Sequence, residues 1–208
     1  MERPALSQPE LLPLPEGVAS ERVIARRYRP GDGTAFFAGL APHRDELMRW
    51  MMWPQRHQEV AVSESYAMRM HAKFALRESM PMGLWNPAGE FLGGSGFHAP
   101  DWNTPKTEIG FFLLPPARGQ GLAADVVRLL VHYAFDHMGM NRVFATCDAD
   151  NAASAGVLRR AGVPEEGRMR AENRDHHGQL RDTLIFGIAL DDYPVWRERH
   201  GVATLRYL

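Results

Sequence analysis

The segment Glu108–Ala123 reads EIGFFLLPPARGQGLA and joins an apolar run to a long helical pattern. Its first part, Glu108–Leu114, is nearly continuous in apolar residues, which is typical of a strand buried on both faces of a sheet. Two consecutive prolines end that strand. Gly119 and Gly121 then permit a turn whose free N–H groups point toward an anion at the start of the helix. The segment therefore predicts a strand, an anion-binding turn and a helix in direct succession.

The helix after this turn is the most regular in the chain. Residues 122–138 carry an apolar side chain at every fourth position, and Gly139 is suited to end the helix. The next apolar run, Arg142–Asp148, predicts a second strand. Residues 108–148 therefore form one strand–helix–strand unit.

The remaining patterns place further elements around this unit. In chain order they are a strand at 22–29, helical segments at 34–53 and 60–76, a hairpin of strands 82–85 and 90–98, a short helix after Asn151 and a late strand at 183–190. This mixture is typical of an α/β or α+β domain. Residues 1–19 include four prolines and are interpreted as an extended lead-in, and residues 20–208 as a single domain.

Composition excludes several classes of function. The 24 basic and 25 acidic side chains give a net charge of −1, which argues against a nucleic-acid partner bound through a general basic field. No apolar run reaches the roughly 18 residues of a membrane span, so no membrane partner is expected. The histidines are not spaced as metal ligands, so no metal is expected either.

The single cysteine, Cys147, cannot form an intramolecular disulfide, which favours a reducing, cytoplasmic setting. It alternates with Val143 and Ala145 along the predicted strand 142–148. Cys147 is therefore interpreted as a side chain that fills the core, not as a nucleophile.

Three kinds of phosphate-binding turn compete for residues 119–124. The P-loop requires Gly-Lys-Ser/Thr, which this chain lacks here. The dinucleotide fingerprint G-x-G-x-x-A is matched by GQGLAA, and Asp148 at the end of the next strand is placed to meet a ribose. A Pro-Pro-Ala-Arg loop before the glycines and the lack of a further strand–helix–strand unit weaken this second alternative without removing it.

The third kind is an acyl-CoA turn. The stretch EIGFFLLPPARGQGLA resembles the acetyl-CoA-binding motif of the GNAT acyltransferases, whose signature Gln/Arg-x-x-Gly-x-Gly/Ala is met by Arg118, Gly121 and Ala123. Residues 151–154 and 157–162, NAAS and VLRRAG, resemble the next motif of that family.

Later residues resemble one branch of the family. The stretch EGRMR at 166–170 and Asp182 are similar to the RimJ/RimL-type branch, whose named members acetylate the N-termini of ribosomal proteins. The resemblance covers roughly residues 20–190 and is densest from 108 to 170. Several motifs in the right order are more specific than any one of them.

The resemblance implies a GNAT fold, with a mostly antiparallel twisted sheet, a splayed parallel strand pair and flanking helices. It also implies an N-acetyltransferase that moves an acetyl group from acetyl-CoA to a primary amine by direct attack in a ternary complex. That amine belongs to a protein N-terminus or a small molecule. The residues that the resemblance assigns to acetyl-CoA are Phe112, Leu113, Leu114, Arg118, Gly119, Gln120, Gly121, Leu122, Ala123, Asn151 and Ser154.

The catalytic groups are implied in the same way. Many GNAT enzymes protonate the leaving thiolate from a Tyr, but that position is Leu158 here, so the branch points to Ser154. The base is Glu108, chosen because it opens the central strand, or Glu172, which lies near where the branch places a base, or solvent serves instead. A backbone N–H near Leu113 is expected to polarise the thioester carbonyl.

Two surfaces and one alternative function stay open. The segment Met48–Trp53, MRWMMW, is suited to the core, to a subunit contact or to an adaptable apolar wall of the acceptor site. Together with residues 191–208 it is a candidate surface for a homodimer. A non-catalytic acyl-CoA sensor would share every cofactor-binding residue and lack only the chemistry.

Overall fold

The structure, a computed structural model, describes residues 2–208. Helices and strands alternate irregularly along the chain, as expected for a mixed α/β domain. The α-helices are α1 Asp32–Leu40, α2 Arg44–Met48, α3 Val60–Leu76, α4 Leu122–Tyr133, α5 Ala152–Arg160 and α6 Tyr193–His200. The strands are β1 Gly17–Ala19, β2 Ile24–Arg27, β3 Met80–Trp85, β4 Phe91–Asp101, β5 Lys106–Leu113, β6 Arg142–Asp148, β7 Glu165–Arg174, β8 Leu180–Ala189 and β9 Arg206–Tyr207.

All these strands form one sheet in the order β7-β8-β6-β5-β4-β3-β2-β1-β9. Only β5 and β6 run parallel, and the other neighbouring pairs are antiparallel. The predicted, mostly antiparallel sheet with one parallel pair is confirmed. A dinucleotide-binding domain needs a doubly wound parallel sheet, so the structure does not support the dinucleotide alternative.

The two faces of the sheet are covered by different helices. Phe111 packs with the larger core cluster, which includes the buried residues of α4 and α5, whereas Phe112 packs with a smaller cluster that includes α1. Neighbouring residues of a strand point to opposite faces of the sheet. The helix α4 and the helix α1 therefore lie on opposite sides of β5.

Helix α4 matches its predicted pattern. Its apolar stripe is buried along the whole length, and a π-helical turn, Ala134–Met138, extends it to Gly139, whose φ of 72° ends the helix. Helix α3 and strand β6 have the predicted bounds as well. These three segments have the strongest and most regular apolar patterns of the sequence.

Several expectations are corrected by the structure. Strands β1, β7 and β9 and helix α6 were not predicted from the sequence, and the strand expected at 22–29 is shorter. Strand β5 was expected to be buried on both faces, but only Thr107, Ile109 and Leu113 are buried, all on the side that carries α4. On the opposite side of β5, Glu108 and Phe112 are only partly buried.

The N-terminal residues join this sheet early. Strand β1 begins at Gly17, and Val18 and Ala19 are buried beside β2. The final segment is also packed, because Tyr193 and Trp196 of α6 are buried. A division of the chain at residue 20 stays a prediction. Within the described part of the chain, no helix is long and apolar enough to cross a membrane.

The core of β8 offers a matched test of the fold. Phe186 is 0% exposed and Leu180 in the same strand is 56% exposed. We expect Phe186→Ala to lower the free energy of unfolding by about 3–5 kcal/mol because it leaves a cavity, and Leu180→Ala to change it by less than about 0.5 kcal/mol. Urea unfolding measures both. Equal losses for the two variants would contradict the burial described for this strand.

Candidate functional site

The parallel pair separates soon after it begins. Only Lys106–Glu108 of β5 pair with Arg142–Phe144 of β6, although both strands continue for several residues. Beyond that point β5 keeps its antiparallel partner β4 on one side and has an open edge on the other. The splayed pair expected from the sequence is therefore present.

The open edge of β5 presents backbone N–H groups. The Pro105 carbonyl accepts from Asn141 on the β6 side, and the Leu114 N–H donates to Leu92 on the β4 side. Because these groups alternate between the two sides of a strand, the amides of Phe111 and Leu113 point into the opening. From the sequence, only a backbone N–H near Leu113 was expected to face the ligand in this opening.

A turn of unusual backbone conformation follows β5. Gly119 has a φ of 76° and Gly121 a φ of 77°, both in the left-handed region that favours glycine. Gly121 caps α4, and no side chain accepts a hydrogen bond from the first N–H groups of this helix. A Cβ at Gly119 would meet no atom within 4 Å. The predicted turn thus leaves its amides, and those of Leu122 and Ala123, open to a ligand.

Two arginines flank this turn. Arg118 Nε donates to the Leu113 carbonyl at 3.0 Å, and its guanidinium pairs with Glu46. Arg22 was missed by the sequence analysis, yet its Nη1 donates to the Gln120 carbonyl at 2.9 Å and its Nε donates to Asp125 at 3.1 Å. Arg22 lies about one hundred positions before Asp125, so no local pattern linked it to the turn.

The start of α5 faces the end of β6. The Asn151 side chain accepts the Ser154 N–H at 3.1 Å, which confirms Asn151 as the N-cap. The Ser154 hydroxyl lies in hydrogen-bond contact with the Cys147 thiol, and burial raises the pKa of that thiol. Cys147 packs against the core on the same face as Val143 and Ala145, as predicted. A raised thiol pKa makes Cys147 a poor nucleophile.

The candidate bases lie in different places. Thr146 Oγ1 donates to Glu108 Oε1 at 2.5 Å, so Glu108 bridges the two strands where they separate. His98 on β4 pairs in register with Glu108, and its ring lies over Gly110. Glu172 is exposed on β7, which β8 and β6 separate from β5. Three strand spacings amount to about 14 Å, so the structure does not bring Glu172 together with Glu108.

A cavity of about 480 Å³ lies beside this opening. It is lined by residues from three segments, 48–52 after α2, 146–150 at the end of β6, and 173–183 from β7 and β8. Trp50 and Met52 of the first segment are 41% and 45% exposed. Met48, Trp50 and Met52 of the segment Met48–Trp53 therefore line a groove, whereas Met51 and Trp53 pack against the smaller core cluster. A second cavity of about 540 Å³ borders the other side of the turn, near Arg22 and Gln120.

The floor of the first cavity is a network of ion pairs. Arg181 donates to both carboxylate oxygens of Asp148, at 2.9 and 3.0 Å, and also pairs with Asp150. The hydrogen bonds from the Arg181 guanidinium hold the pKa of Asp148 below its ordinary value. Asp148 is therefore charged at neutral pH and already partnered.

Strand β7 bulges where it borders the cavity. Its register with β8 shifts between Met169 and Asn173, and Ala171 has a φ of 53°. Asp182 accepts the Ala171 N–H at 2.8 Å and Arg168 Nε at 2.7 Å, and these bonds lower the pKa of Asp182. Asp182 therefore holds the bulge that places Asn173 against the cavity.

The site combines an open strand edge, a turn whose amides can bind an anion, and a polar groove beside the opening between β5 and β6. Together these features are typical of an acyl-CoA-dependent acyltransferase. Residues 22–163 match the acetyltransferase (GNAT) domain, and the chain belongs to this family. The family, the fold, the acetyltransferase activity and the use of acetyl-CoA predicted from the sequence are confirmed. Within residues 2–208, no group of three or more His, Cys, Asp or Glu side chains is placed to hold a metal ion.

Relatives agree with this assignment. The uncharacterized N-acetyltransferase YoaA of Bacillus subtilis is 27% identical over 172 residues, 81% of this chain and 94% of that protein. The putative ribosomal N-acetyltransferase YdaF of Bacillus subtilis is 24% identical over 170 residues, 80% of this chain and 92% of that protein. The structure of Mycobacterium smegmatis RimJ in complex with CoA-disulfide is similar in fold, with a TM-score of 0.78, 20% identity and full coverage of both chains.

The role of Asp182 as a positioning residue is testable. We expect Asp182→Ala to raise KM for the amine about tenfold, because displaced groove residues misplace the acceptor, and to leave KM for acetyl-CoA unchanged. Asp182→Asn keeps an oxygen that accepts the Ala171 N–H and is expected to recover part of the loss. Steady-state kinetics with each substrate varied in turn separates these effects. An equal change in both KM values would contradict a role confined to the groove.

Proposed function

We propose that the chain acetylates a primary amine with acetyl-CoA held along β5, and that the amine enters from the groove on the other side of the opening. The amine belongs to a protein N-terminus or a small molecule. The observation that carries this proposal is the early separation of β5 from β6, which frees the Phe111 and Leu113 amides. Acetyl-CoA supplies an activated acetyl thioester, and the residues described below act on it.

The turn supports binding of the diphosphate. The amides of Gly119, Gln120, Gly121, Leu122 and Ala123 lie at the N-terminus of α4, where the helix dipole favours an anion. Positive φ values at the two glycines and the free space beside Gly119 allow close approach of a bulky group. Arg118 and Arg22 add positive charge at the edges of the turn. Because both already pair with carboxylates, the backbone is proposed as the main contact.

The pantetheine arm is proposed to pair with the backbone of Phe111 and Leu113, because the backbone groups of Phe112 and Leu114, expected from the resemblance to take part, are directed to β4. A strand with one open edge accepts an extended amide chain as a further partner. The Leu113 or Phe111 N–H then donates to the thioester carbonyl oxygen and stabilises the negative charge that develops there. Asn151, at the start of α5, lies on the other side of the opening and is proposed as a second contact of the arm.

Proton transfer is assigned to two side chains. Glu108 takes a proton from the attacking amine, directly or through a water, as the new C–N bond forms. Ser154 donates a proton to the thiolate as the C–S bond breaks, and its contact with Cys147 fixes it at the end of β6. Glu172 stays a prediction from the sequence, and its distance from β5 gives it no support.

Two further properties belong to the proposal. A cytoplasmic location is supported by the single, partly buried Cys147 and by the need for acetyl-CoA. A homodimer through Met48–Trp53 stays a prediction, and it has to leave the groove accessible to the amine. Residues 191–208 give it less support, because α6 and β9 pack on their own domain.

Turnover tests the function itself. We expect thiol release from acetyl-CoA when a panel of primary amines and peptides is supplied, with detection of the free thiol. Binding of CoA without turnover of any amine would favour the acyl-CoA sensor.

The diphosphate assignment predicts an effect of charge at Gly121. Asp and Asn adopt left-handed backbone more readily than other side chains, and a Cβ there meets only Arg22, at 3.6 Å. We expect Gly121→Asp to weaken CoA binding by at least about tenfold through repulsion of the diphosphate, and Gly121→Asn, of the same shape, to weaken it much less. Calorimetry measures both. Equal affinities of the two variants for CoA would contradict a diphosphate at this turn.

The chemical roles predict a separate pattern. We expect Ser154→Ala and Glu108→Gln each to lower kcat about 10- to 100-fold, toward the lower end of acid–base contributions, while CoA affinity changes little. Cys147→Ala removes the thiol that contacts the Ser154 hydroxyl, and it is expected to lower kcat less than Ser154→Ala does, because the hydroxyl that donates the proton remains. An unchanged kcat in Ser154→Ala would remove the serine from the mechanism.

A further inference from the structure

The charged groups of the 480 Å³ groove divide into partnered and unpartnered ones. Asp148 and Asp150 both pair with Arg181. Asp175 accepts the N–H groups of His177 and Gln179 and so holds the turn between β7 and β8. Asp148 and Asp150 are therefore paired with a cation, whereas Asp175 is held by backbone N–H groups and keeps its charge.

Two guanidinium groups in the same groove are not engaged in this way. Across residues 2–208, neither Arg49 nor Arg174 forms an ion pair with a carboxylate. Arg174 Nη1 donates to the Gly178 carbonyl at 2.6 Å, which fixes the side chain at the hairpin and leaves its charge uncompensated. Arg49 lies over the ring of Trp50, 5.2 Å from its centroid. A ligand in the groove therefore meets two guanidinium groups that form no ion pair with the described carboxylates around them.

The wall beside these arginines is apolar. Met48, Trp50 and Met52 line the cavity, and the latter two are among the exposed large apolar side chains of the protein. Exposed apolar surface that lines a concave site is typical of a binding site. Methionine and tryptophan side chains adapt to apolar and aromatic groups of different shape.

From these observations we propose that the acceptor carries a negatively charged group, a carboxylate or a phosphate, in addition to its amine and an apolar or aromatic side chain. Arg49 and Arg174 bind the anion, and the wall formed by Met48, Trp50 and Met52 contacts the apolar part. The amine then points to the opening beside Thr146. This inference rests on the proposed function, since it names the class of amine that the same groove accepts.

Matched dipeptides test the inference. Phenylalanyl-glycine and its C-terminal amide differ in one carboxylate, which is a peptide unit away from the amine and hardly changes its basicity. We expect the acid to have a kcat/KM at least about tenfold higher than the amide. Phenylalanyl-phosphoserine amide compared with phenylalanyl-serine amide gives the same comparison for a phosphate, and the larger of the two preferences identifies the anion.

Variants assign the preference to the two arginines. Arg49→Gln and Arg174→Gln are each expected to raise KM for the anionic peptides about tenfold and to leave the neutral peptides unchanged. Arg199→Gln, on the exposed side of α6 outside the groove, is the control and is expected to change neither. Equal turnover of the anionic and the neutral peptide in both pairs by the unmodified protein would overturn the inference, and so would an equal loss for anionic and neutral peptides in the arginine variants.

A binding measurement separates this inference from the proposed function. Calorimetric titration of each peptide into the protein with desulfo-CoA needs no turnover. Tighter binding of the anionic peptides supports the inference. If no amine is acetylated, that lack of turnover counts against the proposed enzyme activity and not against the inference. Binding that does not distinguish the anionic from the neutral peptide in either pair overturns the inference, whatever the enzyme acetylates.

Discussion

The incomplete pairing of β5 with β6 is the feature on which the site depends. Three residues of each strand are in register, and then the strands separate while β5 stays paired with β4. In a complete sheet the amides of Phe111 and Leu113 would be used by the neighbouring strand. Here they are left for another extended chain of amides, which is what the pantetheine arm of acetyl-CoA provides. The free amides of Phe111 and Leu113 thus result from the way the strands of the sheet are paired.

Burial of α4 fixes the other end of that site. The helix is buried along its apolar stripe, so its N-terminus cannot move relative to the sheet without exposing the core. The glycines of the turn then determine which way the first amides point. Arg22, just before β2, contacts both the turn and Asp125 in the first part of α4, and so connects the turn to the far half of the sheet. The buried helix α4 and the two glycines together hold the amides of the turn in a position to bind an anion.

Sequence predicts those elements whose pattern is strong and local. The apolar stripe of α4 and the apolar run of β6 were predicted with their correct bounds, because each pattern is set by burial against one layer. Strand β7, with the sequence EEGRMRAENR, was missed because it lies at the edge of the sheet and is almost wholly exposed. Strand β1 has only three residues, too few for a period to appear. Both strands are held by pairing with partners that no local pattern reveals.

The co-substrate part and the acceptor part of the site also differ in whether a local stretch of sequence predicts them. In the proposed site, acetyl-CoA is bound largely by backbone groups of one continuous segment, so a short stretch of sequence indicates the co-substrate. The groove proposed for the acceptor is lined by side chains from residues 48–52, 146–150 and 173–183, which only the folded sheet brings together. These segments include loops and a bulge held by Asp182, where substitution changes the groove and leaves the β5 edge intact. The identity of the acceptor therefore has to be inferred from the charges and shape of the groove.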